Sequence, residues 1–335
     1  MINGSPKLRQ TPRQSGGFTL IELLVVVAVI ALLIGILLPA LGQARRSAQK
    51  AQGANIQRQL VIGMITYSNS NNNEVPGMNT SAKNYDGSTS TDDLSEDSEL
   101  PITMYDWMSP ALDADDTPES WAERAYYLFD RFQDPSMTEV LQSSQVTSPD
   151  SNLGTLIDDN GGMPTSSYLM PMSWQTAGAD LGSSGLITQV SQEADVFEVP
   201  ATYRPRLDQF GGSARKVALA DGVPGVNSPS LSLDLTIYND GSNIPNTNGF
   251  VALPPCVPPL GGGDAYDPDA DLNRLSYRQP GNTMNITRWD GSGSELNEQQ
   301  SKDPSLWYPP QTLYLGNAQP EVETDYGYES GDYIN

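Results

Sequence analysis

Acidic side chains crowd one Gly-rich stretch, GGGDAYDPDADLN, in which Asp264, Asp267, Asp269, Asp271 and Asn273 alternate with small or apolar residues. Alternation of that kind in a loop can turn several oxygens toward one centre, as a calcium ion with about six to eight oxygen ligands requires. It is not an EF-hand: counted from Asp267, the glycine position holds Leu272 and the terminal acid position holds Arg278. The stretch is therefore either a calcium site of another design or a solvated acidic turn. Asn239-Asp240-Gly241-Ser242-Asn243 reads first as a turn and only second as a ligand set. The chain has no histidine, which removes the Ser-His-Asp arrangement, the usual general base and most zinc sites. Its one cysteine, Cys256 in LPPCVPP, allows no internal disulfide, so stability must come from packing or metal. Acidic pairs abound, but none is set in a recognisable glycosidase pattern, and no catalytic residue is assigned.

A different carboxylate stands out by its surroundings. Glu22 lies near the start of GGFTLIELLVVVAVIALLIGILLPAL, residues 16–41, an otherwise apolar run. From Phe18 to Leu38 a helix would span roughly 32 Å, close to the ~30 Å hydrocarbon core of a bilayer. The apolar residues go all round such a helix, leaving no face for water. Lys7, Arg9 and Arg13 precede the run, while Arg45, Arg46 and Lys50 follow it, so the positive-inside bias does not orient it. A conventional secretory signal, with a small-residue cleavage site at LGQA (Gly42 and Ala44), fits the basic start and the apolar core, but gives Glu22 a cost and no use.

Gly17-Phe18-Thr19-Leu20-Ile21-Glu22-Leu23-Leu24, with an apolar helix and Pro39 near its end, resembles the N-terminus of type IV pilins and type II secretion pseudopilins. The resemblance covers about residues 13–60. It implies cleavage between Gly17 and Phe18 by a membrane-embedded prepilin peptidase, N-methylation of Phe18, and assembly through the helix with other pilin or pseudopilin subunits on an inner-membrane platform. It also implies a use for the acid. A carboxylate at membrane depth costs a few kcal/mol unless paired, and in a staggered bundle the Glu22 of one subunit can meet the Phe18 amine of the next, fixing register. Localisation follows: a single-pass inner-membrane protein with its head in the periplasm, or a part of an extracellular pilus.

The elements that would carry these groups are uneven in clarity. Beyond Pro39, which can kink a helix, Leu41, Ala44, Ala48, Ala51, Ile56, Leu60, Met64 and Tyr67 recur at amphipathic spacing. Gln43, Arg45, Arg46, Gln49, Lys50, Gln57 and Arg58 then supply the polar face. One helix from Phe18 to about Ser68 would be about 75 Å long. Residues 67–100, rich in Ser, Asn, Thr, Asp and Gly, read as a long surface loop or insertion. TPESWAERAYYLFDRF reads as a short packed helix with Thr117 as N-cap, Pro118 at its first position and Trp121, Ala125, Leu128, Phe129 and Phe132 as its core face. LSLDLTIY is the clearest strand, with Leu231, Leu233, Leu235 and Ile237 on one face. KVALADG, GFVAL and MNITRWDG are weaker candidates. An antiparallel sheet across the second half of the long helix lets sheet face and helix stripe bury each other.

SARKVALADG, NITRWDGSG and SSYLMPMSW are similar to the heads of large pseudopilin-like proteins of planctomycetes. Those carry a histidine about ten residues before an Asp-Gly pair; here the pair is Asp290-Gly291 and SYRQPGNTMN replaces the histidine. The expected architecture is α+β and pilin-like: leader 1–17, membrane-spanning and assembly helix 18–68, polar loop 69–100, and a β-rich acidic head 101–335 with long loops. Charge is segregated along it. The formal charge is −23, and beyond residue 70 there are 40 acids against 11 bases, whereas Glu22 is the sole acid before it. So acidic a head repels nucleic-acid phosphates and anionic lipid, which excludes nucleic acid as its partner. The functional expectation is a non-enzymatic filament subunit; the alternative is a secreted or membrane-anchored binding or hydrolytic domain exported by a conventional signal.

Overall fold

From Leu20 onward no glycine pair interrupts the run, and the first helix, α1, extends over Leu20–Ser70. In the computed structural model the described residues are 19–81, 101–112, 117–165, 167–189, 195–223, 226–227, 230–231, 233–235, 250–258 and 274–335. The chain divides into two compact units, Met1–Ser47 and Ala48–Asn335. In the first, every residue of α1 from Leu20 to Leu41 is exposed, and Leu20 retains 81% of its surface. This part is long and apolar enough to cross a membrane. Pro39 stands inside the helix, where its missing amide leaves one carbonyl of the preceding turn without its usual donor.

In the second unit α1 buries Gly53, Gln57, Leu60, Val61, Met64 and Ser68. These recur every three or four residues, so they form one stripe. Leu60, Val61 and Met64 stabilise the docked helix by roughly 1.5–3 kcal/mol each. The stripe matches the one the sequence suggests at Leu60 and Met64 and departs from it elsewhere. Ala51 is exposed, Ile56 and Tyr67 are half-buried, and Gln57, assigned above to the polar face, is fully buried. Polar residues of α1 face the head because the head meets them with polar partners: Gln49 Nε2 donates to the Pro135 carbonyl at 2.7 Å, and Lys50 pairs with Glu295.

The helix lies on a mixed six-stranded sheet. Its strands are β1 Tyr168–Pro171, β2 Val217–Val223, β3 Val251–Ala252, β4 Arg274–Leu275, β5 Thr283–Arg288 and β6 Gly293–Asn297. The order is β3-β1-β2-β5-β6, with β4 also on β2. All pairs are antiparallel except β3 with β1, which is parallel (Val251 opposite Met170). KVALADG is therefore the central strand, buried on both faces, which is why it lacks alternation. LSLDLTIY, whose alternation is clear, lies outside this sheet. Ser230–Leu231 pairs with Val226–Asn227, and Leu233–Asp234 pairs in parallel with Val146–Thr147; residues 236–238 lie outside the described residues. Half-burial made that strand legible, and half-burial is what a peripheral strand has.

The second helix, α2, spans Trp121–Arg131, and its N-cap is Ser120 rather than Thr117, the Ser120 hydroxyl accepting from the Glu123 amide. Trp121, Ala125, Leu128 and Phe129 are buried and Phe132 half-buried. A third helix, α3, spans Ser151–Asp159. The run after α1 turns through Asn72 and Asn73, both at positive φ, a conformation asparagine tolerates better than most residues. It then enters the core instead of remaining a surface loop: Val75 and Met78 are buried, and the Asn79 side chain exchanges hydrogen bonds with Ile187 (2.6 and 2.7 Å). Residues 82–100 lie outside the described residues. Asp290-Gly291 forms the turn between β5 and β6, with Asp290 Oδ1 accepting from the Ser292 amide at 2.8 Å and Gly291 at φ +79°.

Candidate functional site

Two places gather the side chains that chemistry could use. The first is the start of α1. Thr19 precedes the first helical turn and Glu22 follows three residues later. The Glu22 Oε2 carboxylate oxygen accepts from the Thr19 backbone N–H at 2.8 Å and from the Thr19 hydroxyl at 2.8 Å, while the Glu22 amide donates to Thr19 Oγ1 at 3.3 Å. This reciprocal pair is a capping box, satisfying two backbone donors that a helix start leaves open. The signal was present in the sequence as Thr-x-x-Glu and passed unread beside the larger question of a charge in an apolar run. Gly17 and Phe18 lie outside the described residues, so the Glu22 carboxylate is placed and the amine it is expected to meet is not.

The second place is the joint where α1 crosses β2. Asp221, on β2, is fully buried and accepts four hydrogen bonds: from Gln57 Nε2 (2.8 Å) and Arg278 Nη2 (2.9 Å) on Oδ1, and from Gln279 Nε2 (2.7 Å) and the Asn285 amide (2.9 Å) on Oδ2. Gln57 completes its own set, donating also to the Asn285 carbonyl and accepting from the Thr287 hydroxyl. Arg278 reaches further. Its guanidinium donates to the Gly222 and Ser167 carbonyls at 2.7 Å and forms a longer ion pair, 3.3 Å, with Asp134, also fully buried. Asp134 Oδ1 accepts from the amide and hydroxyl of Ser136, and the Tyr168 hydroxyl approaches Oδ2 at 3.4 Å. Gly53 makes the approach possible, since a Cβ there would stand 2.3 Å from Asp134 Oδ2.

Electrostatics at this joint is dominated by the removal of water. Burial pushes the Asp221 carboxyl up to about 6, against the opposing pull of Arg278 and the amide donors. Burial and the neighbouring acids also hold the Tyr168 phenol neutral well above its ordinary range. Arg278 and Gln279 belong to the SYRQPGNTMN stretch that stands where the resemblance led to an expected histidine. Both side chains are spent on Asp221, so the position is occupied by a structural contact. Sequence reading missed Gln57, Asp134, Asp221 and Arg278 as one group because they come from four separate segments with no common spacing.

The acidic loop, Asp264, Asp267, Asp269, Asp271 and Asn273, lies outside the described residues, as does Asn239–Asn243. Among the described residues no group of three or more His, Cys, Asp or Glu side chains is placed to hold a metal ion. Cys256 is buried. Lys216 is buried as well, its Nζ donating to the Ser305 and Tyr308 carbonyls at 2.8 and 2.7 Å, and burial lowers its ammonium to about 8.

Comparison with known proteins assigns one segment. The profile of the prokaryotic N-terminal methylation motif matches residues 12–38. No curated protein and no solved structure matches the chain. The motif and the apolar helix that carries it together support the type IV pilin and pseudopilin family.

Proposed function

We propose that this chain is a filament subunit of a type II secretion or type IV pilus system, made as a membrane precursor, cut after Gly17, N-methylated on Phe18 and assembled through α1. One observation carries the reading: the methylation motif at residues 12–38 overlaps the start of α1, and from Leu20 to residue 38 every apolar side chain of that helix is exposed. Such a surface needs lipid or other helices to cover it. The partners are then a prepilin peptidase, other pilin-type subunits and an inner-membrane assembly platform. The topology is single-pass, with the head in the periplasm or carried outward on a pilus. The role is structural, and no catalytic step is proposed for the head. A conventional signal cut at LGQA would sever α1 near its middle, between turns that are continuous helix.

The experiment is N-terminal sequencing and mass measurement of the mature protein, with Gly17→Leu beside wild type. The expected result is an N-methylated Phe18, with Gly17→Leu retained as uncut precursor because a bulky side chain obstructs the peptidase. A mature start near Arg45, or normal processing of Gly17→Leu, would overturn the assignment.

A further inference from the structure

Beyond Leu41 the described residues expose four large apolar side chains: Ile62 (49%), Val140 (45%), Leu315 (37%) and Tyr333 (59%). Three of them fall on two faces of opposite charge. The first face belongs to α1. Leu60, Val61 and Met64 turn toward the head, whereas Asn55, Arg58, Ile62 and Thr66, spaced three or four apart, share the side turned away from it and are all exposed. Between Glu22 and Glu74 the chain has four bases and no acid, and the head neutralises one of them, Lys50, through Glu295. Arg58 enters no ion pair among the described residues. The second face is the outer side of a three-stranded sheet, Phe197–Glu198, Thr312–Tyr314 and Tyr333–Ile334, whose middle strand runs antiparallel to the other two. Its inner side is closed: Phe197, Thr312, Tyr314 and Ile334 are buried, and the Phe197 and Tyr314 rings stack at 5.2 Å. Residues directly opposite one another share a face, so Glu198, Leu313 and Tyr333 form one row across the outer side, with Leu315 two residues further along. Glu198, and Asp332 beside Tyr333, are exposed acids without an ion pair among the described residues.

We infer that the outer side of this sheet in one copy docks on the Arg58–Ile62 face of α1 in a second copy. Charge selects the pairing. Two helix faces would bring Arg58 against Arg58, and two sheet faces Glu198 against Glu198, so like faces repel. Unlike faces set the guanidinium against the carboxylates and let Tyr333 and Leu315 cover Ile62, which removes exposed apolar surface from water on both sides. Tyrosine and arginine are the side chains that most often anchor such contacts, because a rigid ring and a planar guanidinium lose little freedom for the area they bury. The contact is heterologous: each copy offers its helix face to one neighbour and its sheet face to another, so joining two copies leaves a free face of each kind and the array can continue. A charged rim contact of this sort fixes orientation more than it adds affinity. The inference rests on the filament reading for the reason that copies stand side by side, and it names the surface of the head that meets a neighbour's helix.

The test is cysteine cross-linking of the full chain in the membranes of producing cells. Asn55 and Asn335 are exposed and lie at the two faces without being among the anchoring side chains, and the native Cys256 is buried. Asn55→Cys combined with Asn335→Cys, treated with a short bismaleimide, should give a ladder of dimers, trimers and larger species, whereas either substitution alone should leave the chain monomeric. Arg58→Glu in the double-cysteine chain turns an attraction into a repulsion and should lower the cross-linked fraction roughly fivefold. Adding Glu198→Lys should restore the ladder. The contact is overturned by the absence of a ladder, by a dimer from either cysteine alone, by an Arg58→Glu yield within about twofold of its parent, or by no recovery with Glu198→Lys. N-terminal sequencing of the same samples keeps the two readings apart. A methylated Phe18 in a chain that gives no ladder refutes this contact alone, and a ladder from a chain that begins near Arg45 refutes the filament assignment alone.

Discussion

Replacing Gly53 by alanine sets two effects against each other. In the interior of a helix the change ordinarily stabilises by about 1 kcal/mol, because glycine loses more backbone freedom on folding. At Gly53 the new methyl would lie 2.3 Å from Asp134 Oδ2 and 3.3 Å from the Tyr168 hydroxyl. Asp134 cannot step aside freely, since Ser136 holds its other oxygen and its own amide is bound by Ser167 Oγ at 2.8 Å. Overpacking of this kind costs about 1–3 kcal/mol, and breaking a buried ion pair about 3–5 kcal/mol. The two costs are alternatives, since a carboxylate that moves away relieves the overpacking; with the larger taken alone and the helix gain subtracted, Gly53→Ala should destabilise the docked helix by roughly 2–4 kcal/mol. Gly42→Ala is the control, because nothing lies within 4 Å of its added methyl and the same helix gain should appear alone. The assay is denaturant unfolding of the full chain in micelles, followed by near-ultraviolet circular dichroism, to which buried Trp107, Trp121, Trp174 and Trp307 contribute. Equal midpoints for Gly53→Ala and wild type would refute the claim that this glycine exists to admit the carboxylate.

Glu22→Ala should insert and be cut normally but give sharply reduced filament yield, measured by shearing; Thr19→Ala should cost the helix start about 1 kcal/mol while leaving yield nearer to wild type. Wild-type yield from Glu22→Ala with normal processing would show that the carboxylate sets no register. If the Asp264–Asn273 loop holds calcium, saturating calcium should raise the melting temperature of the full chain over that in chelator, and coincident curves retire the site. Lys216 should make stability rise with pH. Its folded value near 8 lies below the ordinary 10.5, so the unfolded chain binds the extra proton between those values and stability increases by up to about 3 kcal/mol from pH 8 to 10.5. Lys216→Met should remove that slope in urea midpoints across the range.

The apolar start of α1 was legible because a bilayer-length run needs only composition, and α2 was legible because its amphipathic period is strong. The central strand β2 was not distinct, since burial on both faces erases the alternation that marks a strand. Gln57 was misplaced for a related reason. Polarity predicts exposure only when no buried partner waits, and its partners, Asp221, Asn285 and Thr287, lie more than 150 positions away along the chain. Val75 and Met78 show the same limit in reverse: two apolar residues in a polar, Asn-rich run are enough to draw the segment into the core. The N-cap of α2 moved from Thr117 to Ser120, which the sequence marks by the same Ser/Thr-x-x-Glu pattern (Ser120, Glu123) that opens α1; placing Pro118 at the first helical position had drawn the start three residues too early.

The bonds between Thr19 and Glu22 bear on the order of events at a newly exposed chain end. A helix cut at its beginning ordinarily frays, and a long acidic side chain on a frayed turn samples many rotamers. Here the amide that Glu22 engages belongs to Thr19 and would survive a cut after Gly17, so the first turn stays closed and the carboxylate stays aimed. An arriving neighbour would meet an acceptor whose conformational freedom is already lost, and the cost of ordering it, on the order of 1–2 kcal/mol for a glutamate, would not weigh against the encounter.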